Sequence, residues 1–222
     1  MDKIEVLEVK QQIIEDNDSA AASVREKLKA KNVFLVNLMA SPGAGKTTFL
    51  TRTINAIKDE YRIGVMEADV DSDVDARTIA ETGARVIQIH TGGSCHMDAY
   101  MTEQGIDALA MDDVDVVFLE NVGNLVCPAE FDVGAAKKVM ILSVPEGDDK
   151  PLKYPLMFSV SDLLLINKID TLPVFDFDMD ALKERVKELN PDMKVLPVSA
   201  LTGEGFDAWI SWLKNQIKEW RA

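Results

Sequence analysis

Cysteine and basic residues are scarce in this chain. Two cysteines in 222 residues cannot form a disulfide framework, and they read as reduced thiols of an intracellular protein. Lysine and arginine total 24 against 38 acidic residues, a net charge of −14. That balance argues against nucleic acid, whose phosphates need clustered cations, and against an anionic membrane surface. No apolar run is long enough to span a bilayer. Met1-Asp2-Lys3-Ile4-Glu5-Val6 has neither the basic nor the apolar region of a signal peptide. The expected setting is the cytoplasm, with no membrane and no nucleic acid partner. Internal repeats, low-complexity segments and a His-rich or Cys-rich N-terminal tract are all missing.

What is present is an ordinary apolar content of 47%, enough for a sizeable core. Residues 1–30 are polar, with Ile4, Leu7, Val9, Ile13, Ile14, Val24 and Leu28 at imperfect helical spacing. Asn17-Asp18-Ser19 predicts a break and an N-cap between two helices. The expectation is a helical extension over 1–30, followed by a main domain over 31–222. From Val33 the text alternates. Near-continuous apolar runs at 33–39, 62–67, 85–90, 114–119, 138–144, 162–166 and 194–198 read as buried strands. Helical patterns at 46–59, 74–82, 96–109, 178–190 and 204–220 lie between them. This predicts an α/β fold: a three-layer architecture with a mostly parallel sheet of about seven strands flanked by helices, and the strand–loop–helix run that follows makes it a P-loop NTPase fold. Right-handed crossovers would bring the C-terminal ends of the strands to one edge.

Ala40-Ser41-Pro42-Gly43-Ala44-Gly45-Lys46-Thr47 follows a strand and opens a helix. Gly43 and Gly45 allow a tight turn in which several N–H groups converge on one oxyanion. The candidate phosphate cradle is Gly43, Ala44, Gly45, Lys46, Thr47 and Thr48. Lys46 reaches the β and γ phosphates, and Thr47 offers its hydroxyl to Mg²⁺. The first position is Ala40, where glycine is commonest.

Asn167-Lys168-Ile169-Asp170 ends the run Leu163–Ile166. A carboxylate at Asp170 can accept from N1–H and the 2-amino group of guanine. Adenine would leave that acceptor unpaired, at a cost of about 1–3 kcal/mol. The Lys168 stem can pack along the base. Ser199 and Ala200, after the next strand, are placed to close over it, and Thr202 or Gly203 can cap the following helix.

Val116-Val117-Phe118-Leu119-Glu120-Asn121-Val122-Gly123 is a strand ending in an acid and then a glycine. Glu120 is a candidate Mg²⁺ carboxylate, and Gly123 lets a backbone N–H approach the γ phosphate. The acidic stretch from Glu67 to Arg77 points to the same edge. Asp71 and Asp73 read as solvated. Asp69 and Asp75 are the better candidates for Mg²⁺ or for orienting water, and Arg77 can serve as their charge partner. Lys46, Asp75 and Glu120 are the expected catalytic set, with Thr47, Asp75 and Glu120 around Mg²⁺.

Both cysteines lie in this same half. Cys127 stands seven residues after Glu120, and Cys95-His96 follows Thr91-Gly92-Gly93-Ser94. Thiolates and imidazole together suit Ni²⁺, Zn²⁺ or Cu. Three ligands leave a position open, as in a transfer site or one completed by a second subunit. A lone Cys-His pair is more often inert, but both cysteines here follow strands of one sheet edge. Pro128 predicts an extended Cys127. His90 reads as a packed strand-end residue, and the ten methionines as core filler.

At Gly92-Gly93-Ser94-Cys95-His96-Met97-Asp98-Ala99, at Glu120–Ala129 and at Pro145-Glu146-Gly147-Asp148-Asp149-Lys150-Pro151 the chain resembles the HypB-type GTPases of nickel–iron hydrogenase maturation. The likeness covers roughly residues 30–222. It implies a dimerising P-loop GTPase that hydrolyses GTP slowly and delivers nickel, with Ni²⁺ or Zn²⁺ held by Cys95, His96 and Cys127 at a homodimer face. It further implies partners among hydrogenase maturation proteins and the hydrogenase large subunit, and nucleotide contact by Lys150 or Lys153. Some members carry an N-terminal Cys-x-x-Cys or His-rich store; neither is here, so no storage role is expected. A urease-type nickel GTPase would carry Cys-Pro-His where this chain has Cys127-Pro128-Ala129. A nucleotide-binding module with inert thiols, and an ATPase, are the remaining rivals.

Overall fold

The computed structural model describes residues 9–69 and 74–222. The seven apolar runs form seven strands: β1 Phe34–Ala40, β2 Ile63–Asp69, β3 Arg85–His90, β4 Val116–Glu120, β5 Lys137–Ser143, β6 Leu163–Asn167 and β7 Lys194–Pro197. They make one sheet in the order β3-β2-β4-β1-β5-β6-β7. Every neighbouring pair is parallel, so the sheet is wholly rather than mostly parallel. All C-terminal ends therefore lie on one edge. β1 occupies the centre, and each of its seven residues is buried, which is why its sequence is apolar apart from Asn37.

The helices are α1 Val9–Ala30, α2 Lys46–Ile57, α3 Val74–Ala80, α4 Ala99–Ala108, α5 Cys127–Glu130, α6 Lys150–Lys153, α7 Pro155–Val160, α8 Met179–Leu189 and α9 Phe206–Arg221. They cover both faces of the sheet. On one face Phe49, Leu50 and Ile54 of α2 join Trp209 and Leu213 of α9 over Val36, Leu38 and Phe118. Trp209 is fully buried, and its indole N–H donates to Thr53 Oγ1 at 2.9 Å, so its one polar atom is satisfied. On the other face Val24 and Leu28 of α1 pack with Ile106 of α4 over Leu35, Val117 and Leu119. A third cluster gathers Met39, Met140, Phe158, Ile166 and Leu182 at the β5–β6 end. Met39, Met66, Met97, Met140 and Met157 are all fully buried, in keeping with a filling role. No helix among the described residues is long and apolar enough to cross a membrane.

Five local expectations change. Asn17-Asp18-Ser19 does not divide α1, which runs unbroken from Val9 to Ala30. Asn17 is 3% exposed and turns inward, where tertiary partners take up its amide, so no cap is made. The helix expected at 96–109 starts at Ala99, because Asp98 caps it by accepting from the Met101 N–H at 2.7 Å. Cys95 and His96 are thereby left in the preceding loop. Cys127 is not extended but opens the helical turn α5, with Pro128 in its first turn, where the missing N–H costs nothing. His90 is exposed, because β3 is an edge strand. The last helix is also preceded by Gly205 rather than capped by Thr202 or Gly203.

Candidate nucleotide and metal site

The phosphate loop runs from the end of β1 into α2. Gly43 (φ 73°) and Gly45 (φ 92°) take left-handed backbone conformations that a side chain would strain. A Cβ on Gly45 would also fall 2.8 Å from Asn167 Nδ2. That closeness has a structural reason, because Asn167 binds two loops together. Its Nδ2 donates to Ala44 O at 2.9 Å, and its Oδ1 accepts from the Ala200 N–H at 3.0 Å. Lys168, itself left-handed (φ 61°), donates to Gly43 O at 2.7 Å. Ser199 Oγ donates to Asp170 Oδ1 at 2.5 Å. The residues expected to read the base and those expected to hold phosphate are therefore one bonded assembly. Arg52 of α2 adds to it, donating to Ala200 O at 2.7 Å and to Leu201 O at 2.8 Å. Sequence reading did not pick out Arg52, since nothing local marks a helix arginine as the support of a loop 148 residues away.

At the end of β4, Thr47 Oγ1 donates to Glu120 Oε1 at 2.9 Å. Glu120 is 2% exposed, and its other carboxylate oxygen is buried without a partner. In-register on β2 stands Glu67, also 2% exposed, again with one unpaired buried oxygen. Burial pushes the Glu120 carboxyl up to about 7 against the pull of the Lys46 ammonium and the Thr47 hydroxyl. Burial, and then the Glu120 charge, push Glu67 up to about 8. Hydroxyl and carboxylate oxygens with open acceptor capacity beside a lysine suit a hard divalent cation. The sequence favours Asp69 and Asp75 over Glu67, because the strand register that sets Glu67 opposite Glu120 is invisible in it. Asp75, in the first turn of α3, shares with Thr47, Thr48, Arg52 and Ala200 the lining of an open cavity of about 560 Å³. Asp71 and Asp73 lie outside the described residues. A Cβ on Gly123 would lie 3.1 Å from the Pro42 nitrogen, so the backbone after β4 approaches the phosphate loop as closely as glycine permits. Lys153 pairs with Asp149 at 2.5 Å, and Lys150 Nζ lies 5.5 Å from the centre of the Tyr154 ring.

Cys95, His96 and Cys127 converge. One ligating atom from each lies within 4.8 Å of the others, and the two sulfurs are 2.8 Å apart. His96 stacks on Phe131 with ring centres 4.0 Å apart. Burial lowers the His96 pKa, against the charges of Asp98 and Glu130, which favours the neutral imidazole a metal needs. The Cys127 thiol is pushed up, first by its hydrogen bond with Cys95 and then by burial, while Asn124 opposes. Two thiols and an imidazole gathered this closely are a donor set that suits a soft or borderline divalent ion.

With this geometry in hand, the likeness to known proteins becomes specific. Residues 5–197 match the CobW/HypB/UreG, nucleotide-binding domain family. A hydrogenase maturation factor HypB from Azotobacter chroococcum mcd 1 is 47% identical over 211 residues, which is 95% of this chain and 69% of that protein. The crystal structure of HypB from Helicobacter pylori in complex with nickel superposes with a TM-score of 0.87 at 37% identity, covering 92% of this chain and 96% of that one. HypB from Archaeoglobus fulgidus gives a TM-score of 0.85 at 37% identity, over 91% and 99%. The chain is a GTP-hydrolysing P-loop enzyme and belongs to the CobW/HypB/UreG family.

Proposed function

We propose that this protein is a nickel-delivering GTPase of hydrogenase maturation. It would act as a GTP-dependent homodimer and hand its ion to other maturation proteins or to the hydrogenase large subunit. The observation that carries the reading is the β4–α5 peptide. It begins at Glu120, bonded to Thr47 of the phosphate loop, and ends at Cys127, 2.8 Å from Cys95. One short segment thus touches both the phosphate end and the thiols.

The chain's groups divide the work. Asn167, Asp170, Ser199 and Ala200 hold guanine, with Lys168 along its plane. The backbone from Gly43 to Gly45 and the Lys46 ammonium take the phosphates, and Thr48 lies beside them. Thr47 and Glu120 fit Mg²⁺, which when bound neutralises charge on the β- and γ-phosphate oxygens. Asp75 orients the attacking water. Lys150 or Lys153 approaches the nucleotide, across the dimer in the simplest arrangement. Gly123 follows the γ phosphate, and its movement on hydrolysis displaces the segment that ends at Cys127. Nickel is the cargo, held by Cys95, His96 and Cys127; zinc fits the same three donors. Linkage makes the effect mutual: whatever factor nucleotide applies to the metal, the metal applies to nucleotide.

Titration of Ni²⁺ into the wild type and into the double variant Cys95→Ala/Cys127→Ala tests the metal half of this reading. The variant should lose stoichiometric binding, and superimposable curves would refute the site. Affinities for GTP and ATP test the other half, with a strong preference for GTP expected.

A further inference from the structure

Three asparagines, one on α1 and two in the loop after β4, hold the peptide 95–99 by its backbone. Asn124 Nδ2 donates to Cys95 O at 3.2 Å. The Met97 N–H donates to Asn121 Oδ1 at 3.2 Å. The Ala99 N–H donates to Asn17 Oδ1 at 2.9 Å. The grips fall on alternate residues, and two metal ligands, Cys95 and His96, lie within the gripped stretch. The other side of the site is held too, since Asn17 Nδ2 donates to Asp132 O at 2.9 Å, just beyond the turn carrying Cys127. The amides do what an adjacent strand would do for a ladder. They satisfy backbone groups and fix a register.

The middle grip differs from the other two. Asn121 is fully buried and directly follows Glu120. Its Nδ2 donates to Asn37 Oδ1 on β1 at 3.1 Å, and its Oδ1 also accepts from the Val122 N–H at 2.9 Å. It is thus anchored to the central strand, to the peptide after β4 and to the residue beside His96. Any displacement of the end of β4 moves the acceptor that holds Met97. The Asn17 amide spans Ala99 and Asp132 without bonding to β4.

We propose that Asn121 is the positioning residue that transmits the state of the β4 end to the metal ligands, while Asn17 only fixes their mean geometry. This rests on the nickel-GTPase reading above. Outer-shell partners of metal ligands typically change affinity by about 10–100-fold when removed, and inter-site couplings run to about 5–150-fold.

The test compares Ni²⁺ affinity, by competition with a chromophoric chelator, in GDP-loaded protein and in protein loaded with a slowly hydrolysed GTP analogue and Mg²⁺. The wild type should show at least about a fivefold difference between the two forms. In Asn121→Ala that difference should shrink to within about twofold. In Asn17→Ala both forms should weaken by about tenfold and keep the wild-type ratio. Should Asn121→Ala melt too early to be loaded, Asn121→Ser keeps a small polar side chain but gives up the amide that spans Asn37 and Met97, and should at least halve the ratio. A wild-type ratio surviving in Asn121→Ala, or in Asn121→Ser as its substitute, overturns the inference and leaves the nickel-GTPase reading standing. A wild type whose nickel affinity ignores the nucleotide overturns the coupling and this inference together.

Discussion

The Thr47 hydroxyl donates to the Glu120 carboxylate at 2.9 Å, joining the first turn of α2 to the end of β4. Two residues 73 positions apart thereby form one polar contact at the sheet edge, with a second, unpartnered Glu120 oxygen left inside. Removing either should strike hydrolysis rather than folding. Thr47→Ala and Glu120→Gln should each lower the GTP turnover rate by about 10²-fold or more while leaving the melting temperature within a few degrees. Single-turnover kinetics alongside thermal melts check this, and near-normal turnover would remove both residues from the proposed machinery.

The buried acids make the metal-free protein sensitive to alkali. Burial raises Glu67 to about 8 and Glu120 to about 7, well above their unfolded values. A raised acid favours the fold below its unfolded pKa, and the benefit disappears as pH rises through the folded value. Stability of chelator-treated protein should therefore fall between about pH 5 and 8. Glu120→Gln keeps an acceptor for Thr47 but no charge. It should melt higher than wild type at about pH 8 and much the same at about pH 5. Adding Mg²⁺ with GDP should restore wild type selectively, because a bound cation compensates the carboxylate charge.

Asn167 tests whether the base loop and the phosphate loop act as one. Its amide makes two buried bonds, to Ala44 O and from Ala200 N. Asn167→Ala leaves both partners unsatisfied and should cost about 1–3 kcal/mol of stability. GDP affinity should drop far more than in Lys168→Ala, whose lost bond to Gly43 is solvent-exposed. Equilibrium unfolding and fluorescent-nucleotide binding provide the measurements.

Gly134 tests the seating of α1. It sits at φ 76°, and a Cβ there would come within 2.7 Å of the Val24 side chain and 2.8 Å of Ala21 O. Gly134→Ala should lift α1 and destabilise the protein by about 1–3 kcal/mol. If Asn17 contributes to the metal site as inferred, nickel binding should weaken in parallel. Hydrogen exchange over residues 17–28 checks the displacement directly.

The loop 40–47 ahead of α2, the tetrad 167–170 at the end of β6 and the strand-end acid Glu120 were all legible in the sequence as candidates, because each is a short run whose spacing is set by local backbone geometry. The alternation of apolar runs with helical patterns gave the layered parallel architecture for the same reason. Local rules failed where a distant partner decided the outcome. Asn17 looked like a cap, yet it is buried against Asp132 and Ala99, so the helix runs through it. Pro128 predicted an extended Cys127, yet the residue opens a helical turn facing Cys95. Glu67 read as one acid in an acidic stretch, yet register places it opposite Glu120.

Sequence alone marked the residues on which the proposed chemistry rests: the loop 40–47, the tetrad 167–170, the strand-end acid Glu120, and the donors Cys95, His96 and Cys127. The tertiary structure decided how those pieces are connected. Parallel pairing fixes which strand ends lie side by side, and only then do the amides of Asn17, Asn121 and Asn124 find backbone groups to hold. A side-chain amide has no periodicity and no local signature. Its partner is chosen by whatever unpaired N–H or C=O the fold brings within about 3 Å of it.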